Sequence, residues 1–205
     1  MSVDTGESPV GRRLGQMLRR FAATVALTLV LPASALAGGG NYAFDGATPA
    51  ERATVHAALN ASAFDWSIVP QRVTIHVGQV GTSHARPGHI WLDRGLLAAG
   101  RFAWATVMDE YAHQVDFTVL DPLRRSILQQ RLGASAWCYE VAGLAHASYG
   151  CERFSSMVAW AYWPSQDSSY RPESPTDESA AMPASEFRRL LSGLVGVPST
   201  LKQRP

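Results

Sequence analysis

Lysine is almost missing from this 205-residue chain: Lys202 is the only one, and the basic side chains are otherwise arginine. Charge of either sign is not in excess, for the formal net charge is +1. A balance so close to zero offers no field with which to hold nucleic acid or an anionic membrane surface, and neither is expected as a partner. Long apolar runs are also scarce. The one that stands out, Phe21 to Leu31, falls short of the roughly 20 apolar residues that a bilayer span takes. Internal repeats and heptads are absent. Cysteine occurs only at Cys138 and Cys151.

The N-terminal run has the three parts of an export signal. Arg12, Arg13, Arg19 and Arg20 precede it, Pro32 follows it, and Ala35-Leu36-Ala37 supplies the small residues that signal peptidase accepts. Residues 1–37 are therefore expected to be a signal peptide and 38–205 the mature domain, secreted or otherwise extracytoplasmic. No stable membrane span is expected after cleavage. The remaining chain is long enough for one domain with a real core. In an oxidising compartment, an even cysteine count favours a disulfide between Cys138 and Cys151, closing a short loop.

Residues 48–62 read as a first helix: Thr48 caps it, Pro49 suits its first position and Glu51 completes a capping box. Val73 to Val77 alternates and is rich in β-branched residues, as a strand does, and His89 to Asp93 reads as a second strand. Between them, 78–88 has the Gly, Ser, His and Pro content of a loop. Residues 101–120 contain neither Gly nor Pro and predict a helix buried on most of its circumference. Further helices are expected at 122–132, 151–163 and 185–194, with a Ser-, Pro- and acid-rich flexible loop at 164–182. This order predicts an α+β domain, a small sheet with helices around a buried central helix.

That central helix contains Asp109-Glu110-Tyr111-Ala112-His113. Positions 109 and 113 lie one turn apart, on one face. The spacing is that of His-Glu-x-x-His, in which two histidines bind zinc and the glutamate is general base to the water that zinc activates. Here Glu110 and His113 stand at the base and second-ligand positions, and Asp109 stands where the first histidine would be. Such a site needs a third protein ligand and one open position. Glu152 heads an otherwise apolar predicted helix about 39 residues downstream.

The run EYAHQVDF, then YGCERFSSMVAWAYWPS, then MPASEFRRLLSGL resembles a family of small secreted bacterial proteins of the zincin superfamily, similar to gluzincin-type metallopeptidases. The resemblance covers roughly residues 73–195. It implies a zincin-like fold, a zinc cofactor, and a protein or peptide substrate. It implies Asp109, His113 and Glu152 as metal ligands and Glu110 as the catalytic base. The strand 89–93 takes the place of the edge strand that pairs with substrate backbone. Asp116, two turns beyond Asp109, is a candidate to hydrogen-bond a ligand from behind, or else a carboxylate paired with an arginine. Tyr149 and Tyr162 are candidate oxyanion donors or core aromatics.

Asp109 is the departure. Aspartate binds zinc at about 2.0–2.2 Å, yet it is shorter than histidine, and a second carboxylate neutralises the ion and weakens its Lewis acidity. Carboxylate-rich sites also select less well for zinc over harder metals. Two functions follow from the sequence: a secreted zinc-dependent metallopeptidase-like hydrolase, impaired at Asp109, or a non-catalytic zincin-like extracellular binding or scaffold protein.

Overall fold

A computed structural model of the chain describes residues 40–138 and 140–201; the signal-peptide reading falls outside them. The sheet has four strands in the order β1-β2-β4-β3: β1 (Tyr42–Asp45), β2 (Val73–Gly78), β3 (His84–Arg86) and β4 (His89–Asp93). β1 and β4 both run parallel to β2, and β3 pairs antiparallel with β4. After β2 the chain skips one strand's width, lays β3 down as the outer edge, and turns back at Gly88 to insert β4. The turn needs Gly88, whose φ is +78°. The region expected to be a loop, 78–88, thus holds an edge strand. Correspondingly, His89–Asp93 is an interior strand and cannot be the edge that meets a substrate. β3 escaped notice because three residues, His84, Ala85 and Arg86, have no apolar alternation to read.

Alternation on β2 and β4 sends Val73, Ile75, Val77, Ile90 and Leu92 into the core. Helix α1 (Pro49–Ala61) packs there with Val55, Ala58 and Leu59, and its predicted capping box is present. A short helix, α2 (Arg94–Leu97), and a 3-10 turn (Gly100–Ala103) lead into α3 (Trp104–Val119). α3 starts three residues later than the composition suggested. It is buried from Val107 to Asp116 without interruption, so it is the central element of the core. α4 (Pro122–Arg131), α5 (Gly150–Tyr162) and α6 (Ala184–Val195) complete the architecture. The mixed α+β fold with a small sheet is as expected. Among the described residues no helix is long and apolar enough to cross a membrane.

Two sets of contacts set the positions that matter. Gln114, fully buried on α3, accepts from the Gly88 N–H at 2.8 Å and donates to the carbonyls of Arg86 and His89 at 2.9 and 3.0 Å. One side chain thereby pins the β3–β4 hairpin onto the helix, one residue from His113. On the other side, residues 135–137 run beside 148–151: Ser135, Gly150 and Cys151 donate to the carbonyls of Ser148, Ala136 and Trp137. The expected disulfide, Cys138–Cys151, closes this seam with Cα atoms 5.3 Å apart. Gly150 has to be glycine, because a Cβ there would meet the Trp137 ring at 2.6 Å.

Candidate metal centre

α3 presents Asp109, Glu110 and His113, each 6–8 % exposed, along one stretch of its surface. Each offers one ligand atom within 4.8 Å of the other two. α5 brings Glu152 against them, with its Oε2 3.5 Å from His113 Nε2, while Asp109 Oδ2 stands farther off at 4.0 Å. The three residues expected as ligands and the expected base therefore do meet, in a cleft of about 610 Å³. Cys138, Cys151 and Glu152 also lie together, but the disulfide leaves no thiolate to bind a cation.

The N···O spacing allows a test of fit. Zinc bonds of about 2.0–2.2 Å at tetrahedral angles hold neighbouring ligand atoms about 3.3–3.6 Å apart. The 3.5 Å between His113 Nε2 and Glu152 Oε2 lies in that range. It is long for a charge-assisted hydrogen bond, which is about 2.7–2.9 Å. The donor set of imidazole and carboxylate suits zinc or a neighbouring divalent cation.

Electrostatics follow from packing several acids in one dry place. Burial, reinforced by Asp109, pushes the Glu110 carboxyl up to about 8. Burial likewise raises Asp109 to about 6, against the opposing pull of His113. For His113 burial acts downward, but contact with Glu152 and the charges of Asp109, Glu152 and Glu110 together outweigh it and raise the imidazolium to about 9. Without a cation, the cluster holds on to protons that a cation would displace.

Asp116 takes the arginine-paired alternative. Its Oδ1 accepts from Arg125 Nε at 2.8 Å and Trp137 Nε1 at 3.0 Å, so it ties α3 to α4 and to the 135–138 seam. Tyr149 and Tyr162 are not oxyanion donors. The Tyr149 hydroxyl donates to the Val141 carbonyl at 2.8 Å, and Tyr162 packs edge-on against Phe64 in the core. The tyrosine that does line the cleft is Tyr170. It comes from 164–182, the segment read as a flexible loop, which holds itself through Asp177 accepting from the Glu173 and Ser174 N–H groups. Burial, with the charges of Asp109, Glu110 and Glu178 added, raises the Tyr170 hydroxyl well above its ordinary value.

His146, Glu178 and Ser156 also gather here. His146 Nε2 is 3.3 Å from the same Glu152 Oε2 that faces His113, and its Nδ1 is 2.6 Å from Glu178 Oε1. Ser156 Oγ is 2.9 Å from Glu178 and 3.2 Å from Asp109. Reading the sequence missed all three. Only one signal pointed to them: a histidine six positions before Glu152.

No family model matches the chain, and neither a curated protein nor a solved structure does.

Proposed function

We propose that this is an extracytoplasmic, zincin-like metal-dependent hydrolase of peptide bonds. The observation that carries the reading is the convergence of His113 and Glu152, from two helices, at 3.5 Å in a cleft that Glu110 also lines. A divalent cation held by His113 and Glu152 would supply Lewis acidity, polarising the scissile carbonyl and lowering the pKa of water. Glu110 takes the proton from the attacking water and delivers it to the departing amine. Burial makes the Glu110 carboxylate a stronger base than one in water, and the charge of a cation beside it would keep it deprotonated until it accepts that proton. Tyr170, kept protonated, donates a hydrogen bond to charge developing on the carbonyl oxygen. Ser83, His84 and Ala85 line the same cleft, and β3 has its outer edge unpaired among the described strands. An extended peptide would add to that edge through backbone hydrogen bonds.

A second reading has one observation in its favour. Asp109, at the first-ligand position, accepts a hydrogen bond from Ser156, as a residue in a non-catalytic binding protein could. Metal content and cleavage of a mixed peptide substrate separate the two. Zinc at one equivalent with turnover that Glu110→Gln removes supports the hydrolase. Zinc without turnover favours the binding protein, and neither zinc nor turnover ends the metal-dependent reading.

A further inference from the structure

We infer that His146 replaces the histidine missing at position 109, so that the cation is held by His113, His146 and Glu152, with Glu178 orienting His146. The inference rests on the metal-dependent reading above and goes further by removing Asp109 from the ligand set.

The two ring nitrogens of His146 meet two carboxylates at different distances. Nδ1 to Glu178 Oε1 is 2.6 Å, a short hydrogen bond in which the ring N–H donates. Nε2 to Glu152 Oε2 is 3.3 Å, and His113 Nε2 stands 3.5 Å from that same oxygen. Each longer spacing matches a pair of neighbouring ligands around a zinc ion, about 3.3–3.6 Å apart, with Glu152 Oε2 the oxygen common to both pairs. A histidine that binds a metal through one nitrogen usually gives its other N–H to a carboxylate, which fixes the ring and its tautomer. His146 has that partner.

Asp109 fits the ligand role less well. Its Oδ2 is 4.0 Å from His113 Nε2, beyond the range for neighbouring ligands, and its Oδ1 is 3.2 Å from Ser156 Oγ. Ser156 also reaches Glu178 Oε2 at 2.9 Å. The path from Asp109 through Ser156 to Glu178 ends on His146. Ser156 has one O–H to give, so Asp109 and Glu178 share it, and Asp109 is linked to His146 only through that shared contact.

The backbone that carries His146 is built to hold it. It opens a 3-10 turn, His146–Ser148. Arg153, on the first turn of α5, donates from Nε to the Ala147 carbonyl and from Nη1 to the Leu132 carbonyl. Ser135 N–H donates to Ser148. The turn is therefore fastened to the same seam as the start of α5, where Glu152 sits, and the two side chains are placed together.

Zinc titration of the purified full chain by calorimetry tests this, with thermal melting as the control for folding. Wild type is expected to bind one equivalent, and His113→Ala none. His146→Ala should weaken zinc by more than about 100-fold, and Glu178→Gln by about 10-fold, the size of effect a ligand's orienting partner has. Asp109→Asn should stay within about 3-fold, since no ligand is lost. Asp109→His placed in His146→Ala should recover affinity, because an imidazole returns on the helix. His146 is exposed, so its loss leaves the core intact. If Asp109→Asn loses zinc and His146→Ala keeps it, the inference is wrong and the metal-dependent reading stands. If wild type binds no zinc, both fall.

Discussion

The molecule carries two histidine clusters, and they differ in what surrounds the rings. On the outer face of the sheet, His76, His84 and His89 stack with Trp91 across β2, β4 and β3, with centroids 4.9–5.6 Å apart and planes within 26° of parallel. His76 joins Asp45 at 2.8 Å and His89 at 3.0 Å. That cluster has three imidazoles and one carboxylate, with His84 and His89 exposed and His76 half-buried; His84, which also borders the cleft, bonds to the Thr82 carbonyl. In the cleft, two imidazoles meet Asp109, Glu110, Glu152 and Glu178. There the acids outnumber the imidazoles, and all but His146 are largely buried. The cleft therefore packs several acids with little solvent to screen them, whereas the outer rings stack on one another at the surface.

Substitution at Glu110 is the strongest way to test the cleft side of this contrast. Glu110→Gln should lower peptide turnover by about 10²–10⁴-fold, the usual contribution of a positioned base, with zinc retained because no ligand is lost. Peptide cleavage read beside metal content checks it, and loss of zinc with the base would make Glu110 a ligand instead.

Gln114 tests whether the hairpin and the helix form one unit. Gln114→Leu leaves the part-buried Gly88 N–H and two carbonyls without their side-chain partner and should cost about 3 kcal/mol in urea unfolding, at about 1 kcal/mol for each of the three bonds. A cost under about 1 kcal/mol would mean that the hairpin finds another support.

Reduction of Cys138–Cys151 should cost about 3 kcal/mol, as expected for closing a loop of this length. It should also weaken zinc, since the seam positions both His146 and Glu152. Unchanged affinity after reduction would show that the other contacts along the seam suffice.

The acid excess makes a prediction in pH. In the metal-free protein Glu110, Asp109 and His113 all titrate above their ordinary values, at about 8, 6 and 9. A raised pKa means that the folded state binds the proton more tightly. Its stabilisation is full below the unfolded value and is lost as pH rises through the folded one. All three therefore act in the same direction, and the metal-free melting temperature should fall between about pH 4 and pH 9. Zinc binds the deprotonated ligands, so the gap between loaded and metal-free protein should widen across that range. A gap that narrows with rising pH would count against His113 as a ligand.

The outer cluster should give the smallest effect. His76→Ala removes a half-buried ring stack and one ion pair and should cost about 0.5–1 kcal/mol with no change in zinc affinity. A loss of zinc would put the cation on the wrong side of the contrast.

What could be read without the fold was local. The capping box at Thr48 and Glu51, the alternation of β2 and β4, and the helix from which Asp109, Glu110 and His113 project all follow from residues a few positions apart. Glu152 and the disulfide were reached by resemblance and by counting. β1 and β3 were missed because short edge strands take their order from partners rather than from their own pattern. The Gln114 clamp was missed for a related reason: its three partners lie on a hairpin 25–28 positions away in the chain.

By itself, then, the sequence determined that Glu110 and His113 share a helix and roughly a face, since one turn of an α-helix fixes that spacing wherever the helix sits. Only the tertiary structure decided which residues meet them. Glu152, His146, Glu178 and Tyr170 come from a helix, a turn and an irregular segment with no common period. They come together because the Arg153 contacts, the 135–151 seam and the disulfide fix distances that no local rule encodes.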